Sequence, residues 1–474
     1  MKKIINTNIC LKTDSYKIGH FSAYPYGTQK VYSYFEARKG AKFNETLFFG
    51  LQFLLKDLEG IVFTREDVEE AKKKMDCHLG VGKFNYDGWI RLLEKHAGKL
   101  PIEIKAVQEG TLVPIDNVLF TVENTDDEFP WLTGHLETEL THVWHPMVVA
   151  TLSREIKKVI KNYLDITSDN YQNLFFALHD FGARATENSD AGARGGAGHL
   201  VNFLGTDTLV AMDEIEQYYN VPYAGLGYSV FATEHSVMTS LGKDGESTVI
   251  QSVLDYNPSG IVSVVADSYD YYNFVKECVG KKFKQQIIDR NIKNPNSIFV
   301  IRPDSCTPTH NTPEELVLWT FNQLENDFGV TTNKKGFKTL HPAIAVIWGD
   351  GINKEGIEKI LKILSDNKYD TGKLVVGMGG NLLQKIDRDL QRMAFKCSAQ
   401  LRDNIWFDIQ KNPLDTKKKS KAGKLALIKE DNQFKTIREN ELNDRENFLK
   451  TVFLNGELVN PITFNVVRKN AELI

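Results

Sequence analysis

Ile298-Phe299-Val300-Ile301-Arg302-Pro303-Asp304-Ser305 is an apolar run that stops abruptly in a charged cluster. The same pattern recurs at six other places between residues 170 and 380. Before it, runs end at Leu178-His179-Asp180-Phe181-Gly182-Ala183-Arg184, Gly205-Thr206-Asp207-Thr208, Ala232-Thr233-Glu234-His235-Ser236 and Ala266-Asp267-Ser268-Tyr269-Asp270. After it come Trp348-Gly349-Asp350-Gly351 and Gly377-Met378-Gly379-Gly380. Most intervals are about thirty residues, the length of a strand and a returning helix. Continuous apolar runs suit strands buried on both faces, and parallel strands need helical crossovers. An α/β barrel would gather these run ends on one face, where active sites lie. An enzyme is the leading expectation.

With 474 residues the chain exceeds one ordinary core, so two domains are expected. Its 42% apolar and 25% charged residues are those of a soluble globular protein. A net charge of −4 gives no reason to expect nucleic acid as a partner. No apolar stretch is long enough for a membrane span, and Asn6, Thr7 and Asn8 interrupt any leader-like start. Five scattered cysteines without a CxxC pair fit reduced thiols in a cytoplasmic protein and argue against a zinc site.

Outside the barrel-like region, Lys30–Phe35 has the β-branched and aromatic content of a strand. Residues 101–107 alternate apolar and charged side chains, and 118–122 continue that antiparallel character. Near the other end, Asn455-Gly456 is a hairpin turn between 451–454 and 457–459. Residues 1–150 plus 390–474 are therefore expected to form an α+β domain with an antiparallel sheet, and 151–389 the barrel-like catalytic domain. Within the latter, Thr312-Pro313-Glu314-Glu315 opens a helix. Ile357, Ile360, Leu361 and Leu364 mark an amphipathic one.

Gly377-Met378-Gly379-Gly380 joins a strand to a helical pattern, which offers backbone N–H groups to an anion but is more often plain turn geometry. Arg388, Lys396 and Lys411 favour the anion, since a diphosphate needs several cations. The lysines at 417, 418, 419, 421 and 424 read as a solvated loop. Arg302 and Asp304 are either a structural salt bridge or a phosphate and sugar-hydroxyl pair. Asp350 repeats the arrangement between two glycines that permit close ligand approach. His179-Asp180 invites a metal reading, but the eleven histidines have no HxH or HExxH spacing. His235, beside Glu234, can be a base, a phosphate acceptor or a buried polar residue. No GxSxG elbow or catalytic cysteine signature is present.

These clusters together resemble the nicotinamide phosphoribosyltransferase family over nearly the whole chain. The likeness begins at Thr13-Asp14-Ser15-Tyr16-Lys17 and Tyr32-Ser33-Tyr34-Phe35-Glu36, passes through Phe120-Thr121-Val122-Glu123-Asn124-Thr125-Asp126, and reaches Phe395-Lys396-Cys397-Ser398. It implies an irregular α/β barrel of type II phosphoribosyltransferase architecture, with a second α+β domain built from both chain ends. It further implies a homodimer with shared active sites that joins nicotinamide to 5-phosphoribosyl 1-diphosphate in NAD salvage. Mg²⁺ and a coupled, non-obligatory ATP are the implied cofactors; the metal ligands are not identified.

Carried over by position, the resemblance implies that Phe181 stacks on the pyridine, with Tyr16 of the other subunit opposite and Asp14 nearby. Asp207 matches the residue that bonds the carboxamide, and Arg184 and Arg302 line the base and phosphoribosyl sites. Asp304, Gly349 and Asp350 match ribose contacts, while Gly379 and Gly380 match the phosphate cradle. Arg38, Arg388, Lys396 and Lys411 match phosphate contacts supplied across the dimer. His235 matches the histidine phosphorylated during ATP coupling, and Asp270 lies near it, so the implied catalytic set is His235, Asp304, Arg302 and Asp270. Ala183, Ala266, Cys306 and Asn381 stand where animal members have tyrosine, serine and two glycines. The alternatives are a nicotinate phosphoribosyltransferase, which Asp207 opposes, and an inactive relative acting in binding or signalling.

Overall fold

The computed structural model describes residues 8–411 and 420–473. Lys417, Lys418 and Lys419, together with most of the leader-like start, lie outside the described residues. The chain divides into two compact units.

The first unit comprises the described residues up to Thr151, 215–221 and 387–472. Its centre is a seven-stranded antiparallel sheet in the order Ile405–Asp408, Met393–Arg402, Thr28–Ala37, Val118–Asn124, Ile102–Ala106, Lys450–Leu454, Glu457–Leu458. Both chain ends therefore supply strands to one sheet. Ile102, Ile104 and Ala106 are buried while Glu103 and Lys105 are not, the period-2 pattern of a strand with one covered face. Asn455 and Gly456 adopt φ of 51° and 83°, the left-handed pair that a two-residue hairpin turn requires.

The stretch 215–221 falls inside the segment expected to be barrel, yet it packs with this first unit. The reason is Tyr219, fully buried with its ring against Phe49, Phe53 and Phe464. Its hydroxyl donates to Glu109 at 2.5 Å, so the ring cannot leave without orphaning a buried polar group. The described part of the lysine loop also differs from a solvated surface. Lys421 is largely buried, bonded to Glu36 and 3.1 Å from Asp116, and Lys424 lies 2.9 Å from Glu123. Glu36 is itself buried, so the lysine that neutralises it is drawn inward.

The second unit comprises residues 152–214 and 222–386, with Leu473. Seven short strands run parallel: β1 (Leu178–Asp180), β2 (Gly205–Thr206), β3 (Phe231–Ala232), β4 (Val262–Val265), β5 (Phe299–Arg302), β6 (Ile344–Trp348) and β7 (Leu374–Met378). Their order is β2-β1-β7-β6-β5-β4-β3. Tyr228 bridges Gly205 in parallel, three residues before β3 pairs with β4, so one extended segment touches both edges of the sheet. The sheet is curled into an irregular barrel, and all seven run ends read from the sequence lie at the C-terminal ends of its strands.

The crossovers follow local rules. Thr312 accepts from Glu315 N at the head of Pro313–Phe328, and Asn353 caps Lys354–Asp366, whose Ile357, Ile360, Leu361 and Leu364 are buried. Between β4 and β5 the chain makes a nine-residue π-helix, Phe274–Lys282, which no periodicity announced. Among the described residues, no helix is long and apolar enough to cross a membrane.

Candidate active site

At the end of β1, Phe181 donates its backbone N–H to Met378 O at 3.0 Å, which seats its ring across β7 and β6. A Cβ at Gly377 would stand 2.0 Å from that ring, and one at Gly349 would stand 2.9 Å from it. Gly349, expected as a ribose contact, thus also makes room for Phe181. His179 lies against the same ring, with centroids 5.2 Å apart.

Asp207, just beyond β2, accepts from Ser229 Oγ at 2.5 Å and lies 3.1 Å from His179 Nε2. Burial alone would raise this carboxyl; the hydrogen bond and charge of His179, then Ser229 and Arg302, outweigh it and hold the group below the usual carboxylate range. Asp180 faces the opposite balance: it is fully buried, accepts from Gly182 N at 2.7 Å, and burial pushes its carboxyl upward. Among the described residues, no group of three or more His, Cys, Asp and Glu side chains is arranged to cage a metal.

His235 follows β3, with Nε2 at 3.1 Å from Asp267 Oδ1 and Nδ1 at 3.9 Å from Asp304 Oδ2. Asp267 is itself held by Ser305 Oγ at 2.5 Å. The imidazole thus sits between two carboxylates from the ends of β4 and β5. Arg302 Nε and Asp304 Oδ1 are 3.9 Å apart, a loose pair, and Arg302 Nε is buried with no hydrogen-bond partner among the described residues. Asp350 is pushed upward by burial and then by the charges of Asp304 and Asp267, so three carboxylates share one field.

Asp270, expected beside His235, caps Tyr271–Asn273 by accepting from Asn273 N at 3.0 Å. Its charge also acts on Glu246, a buried carboxyl raised to about 7, chiefly by burial. The sequence alone assigns no role to Glu246, Asp267, Ser229 or Ser305. Asp267 had a visible signal, since it is the first carboxylate past β4. Glu246 had none, because it sits in an ordinary helix, Gly242–Tyr256.

After β7, Gly379 carries φ −100° and ψ −107° and opens the single turn Gly380–Leu383. A Cβ at Gly379 would approach Phe181 O to 3.2 Å, whereas one at Gly380 would meet nothing nearer than Ala185 at 3.7 Å. Packing does not demand a glycine at 380. Arg184 is exposed on the loop after β1.

The remaining expected residues belong to the first unit. Asp14 accepts from Thr138 Oγ1 at 2.9 Å, and Tyr16 is 64% exposed. Arg38 donates to Arg392 O at 3.2 Å, Lys396 to Phe395 O at 2.9 Å, and Lys411 N to Ser420 Oγ at 2.9 Å. Burial lowers the Lys396 ammonium; Glu137 opposes that, and the charges of Arg38, Arg388 and Lys411 add to it. Three cations therefore act on Lys396, all on a unit separate from the aromatic and carboxylate set.

Comparisons with known proteins cover nearly the whole chain. The sequence model of the nicotinate phosphoribosyltransferase family matches residues 176–457, and that of the nicotinamide phosphoribosyltransferase N-terminal domain matches 8–104. A nicotinamide phosphoribosyltransferase of Xanthomonas campestris pv. campestris is 40% identical, with 98% of each chain covered. The chain belongs to the nicotinamide phosphoribosyltransferase family. A second member of that name, from Acinetobacter baylyi, is 32% identical over 96% of this chain and 95% of its own. Among solved structures, a nicotinate-nucleotide pyrophosphorylase from Pyrococcus furiosus superimposes with a TM-score of 0.62 at 14% identity, over 99% and 96% of the two chains. The human nicotinic acid phosphoribosyltransferase gives 0.60 at 14% identity, over 97% and 92%. The barrel is thus that of type II phosphoribosyltransferases, and the chain is an enzyme of the pentosyltransferase class, as its family is.

Proposed function

We propose that the protein transfers the phosphoribosyl group of 5-phosphoribosyl 1-diphosphate to nicotinamide, giving nicotinamide mononucleotide and pyrophosphate in NAD salvage. The observation that carries the choice of base is Asp207, held ionised by His179 and Ser229 close to the Phe181 ring. An ionised carboxylate accepts the N–H of a carboxamide and repels the carboxylate of nicotinate. Phe181 offers a flat face for a neutral ring.

The pyridine nitrogen already carries a lone pair, so no base need activate it. The costly event is departure of diphosphate from an oxocarbenium-like carbon, and cations aimed at the leaving oxygens stabilise it. Arg302, whose Nε has no partner among the described residues, and the set Arg38, Arg388, Lys396 and Lys411 suit that role. Asp304 and Asp350 suit the ribose hydroxyls. Gly379 and Gly380 suit the 5′-phosphate, since no packing at Gly380 excludes a side chain yet none is present. Mg²⁺ bound by diphosphate oxygens and one or two carboxylates, with Asp304 and Asp350 as candidates, would neutralise charge on the leaving group.

In this reading the cationic unit of one copy serves the barrel mouth of its partner in a two-fold dimer, with Tyr16 opposite Phe181 and Asp14 close by. His235, oriented by Asp267, accepts a phosphoryl group from ATP in a coupled, non-obligatory step, with Asp270 nearby. The setting is cytoplasmic. A product assay with nicotinamide, nicotinate or no base, each with phosphoribosyl diphosphate and Mg²⁺, tests the reading. Mononucleotide formed from nicotinamide alone is expected; preference for nicotinate would overturn it.

A further inference from the structure

Three successive backbone carbonyls after β6 are each taken by a side-chain donor. Trp348 Nε1 donates to Asp350 O at 2.8 Å, and Asn381 Nδ2 donates to Gly351 O at 3.1 Å and to Ile352 O at 2.8 Å. The Trp348 bond is internal to its own strand end. The two Asn381 bonds come from the turn after β7, two residues beyond Gly379, and they tie one ligand-facing loop to another. The middle carbonyl belongs to Gly351, whose φ of 55° marks the tight bend that directly follows Asp350.

The tie has a consequence for Asp350. Its backbone directly precedes the two pinned carbonyls, and the first of them belongs to the Gly351 bend, where the chain is most free to turn. A backbone held at both carbonyls that follow Asp350 keeps its side chain in place before a ligand arrives, which removes a cost of reorganisation on binding.

We propose that Asn381 is a positioning residue that holds Asp350 in its ribose-binding pose by bracing the β6 loop against the glycine turn after β7. This inference rests on the proposed assignment of Asp350 to the ribose. Because Asn381 touches carbonyls and not the base side of the site, its effect falls on phosphoribosyl diphosphate and leaves nicotinamide alone.

The test is a double-mutant cycle on the full-length enzyme, with KM for both substrates and kcat measured for wild type, Asn381→Ala, Asp350→Ala and the double variant. Losing two neutral hydrogen bonds should raise the KM for phosphoribosyl diphosphate about three- to tenfold, with the KM for nicotinamide unchanged. In the Asp350→Ala background the same substitution should add nothing, because its target is gone. Asn381→Gly removes the same donors and replaces the alanine variant if that one aggregates. Additive effects, or an unchanged KM in both Asn381 variants, overturn the positioning role. An Asp350→Ala enzyme with wild-type KM for phosphoribosyl diphosphate instead overturns the ribose assignment on which the inference stands.

Discussion

The barrel mouth and the cationic face of the antiparallel sheet reach opposite electrostatic conditions. At the mouth, folding supplies partners: His179 and Ser229 for Asp207, Asp267 for His235, Ser305 for Asp267. On the sheet, burial and then the charges of Arg38, Arg388 and Lys411 depress the Lys396 ammonium against the pull of Glu137, and Arg388 meets Asp389 only loosely, at 4.0 Å. The first region is completed by the chain itself; under the proposed function, the second is completed by an anion. A substitution at the mouth should therefore alter geometry and choice of base, and one on the sheet should alter affinity for diphosphate and its response to salt and pH.

The largest effect should come from Arg302, which belongs to the mouth but behaves like the sheet, with its Nε unpartnered among the described residues. Arg302→Ala should lower kcat/KM by roughly a hundred- to a thousandfold, as loss of a charge-stabilising donor does. A fall below tenfold in steady-state kinetics would place Arg302 in a structural pair. Gly377→Ala comes next. Its Cβ would stand 2.0 Å from the Phe181 ring, so the ring must shift, and kcat/KM for nicotinamide should drop by about ten- to a hundredfold. Binding of diphosphate, measured by calorimetry, should hardly change; an equal loss would erase the contrast between the regions.

Asp207→Asn should raise the nicotinate-to-nicotinamide ratio of kcat/KM by about tenfold or more, the worth of a hydrogen bond to a charged group. An unchanged ratio would mean that Asp207 does not face the base. On the sheet, the Lys396 ammonium sits below a lysine's ordinary 10.5, so it loses its proton earlier as pH rises. Affinity for phosphoribosyl diphosphate should weaken a few-fold through that alkaline window, and Lys396→Arg should carry the weakening to higher pH. Coincident pH profiles would remove Lys396 from the anion site.

Glu246 is the barrel's exception, a buried carboxyl whose Oε1 has no partner among the described residues. Its folded value of about 7 exceeds its ordinary 4.5, so the folded state binds the extra proton and its stability declines as pH rises from 4.5 through 7. Glu246→Gln should raise Tm at pH 8 by a few degrees and leave it unchanged at pH 4. The same gain at both pH values would assign the effect to packing.

The fold was readable where burial writes a simple code. Continuous apolar runs gave the buried strands β4 to β7, whereas β2 is Gly205–Thr206 alone and both residues of β3 are exposed; Ile102, Ile104 and Ala106 gave a one-sided strand, because side-chain periodicity is set by the backbone. The π-helix at Phe274–Lys282 and the return of 215–221 to the first unit depend on packing among distant segments, which no local pattern records. The same limit applies to the site. His235, Asp207 and Asp304 stood out as polar residues at run ends. Their supports did not: Asp267 is one polar residue among several at its run end, and Ser229 comes from a separate loop whose relation to Asp207 exists only in three dimensions. The lysine loop misled for a related reason, since Lys421 is drawn in by Glu36, 385 positions away.

Complementation between two inactive variants tests the central claim most directly, that the completed mouth of one copy works with the cationic face of another. One variant carries Tyr16→Ala and Arg388→Ala, the other Asp304→Ala, and the two are co-expressed with different tags. In a two-fold dimer one site then collects every defect and the other none, so tandem-purified heterodimers should recover about half the wild-type activity per dimer. Separately purified variants mixed without subunit exchange should recover none. Verified heterodimers that stay inactive would contradict the account and place both residue sets in a site served by a single chain.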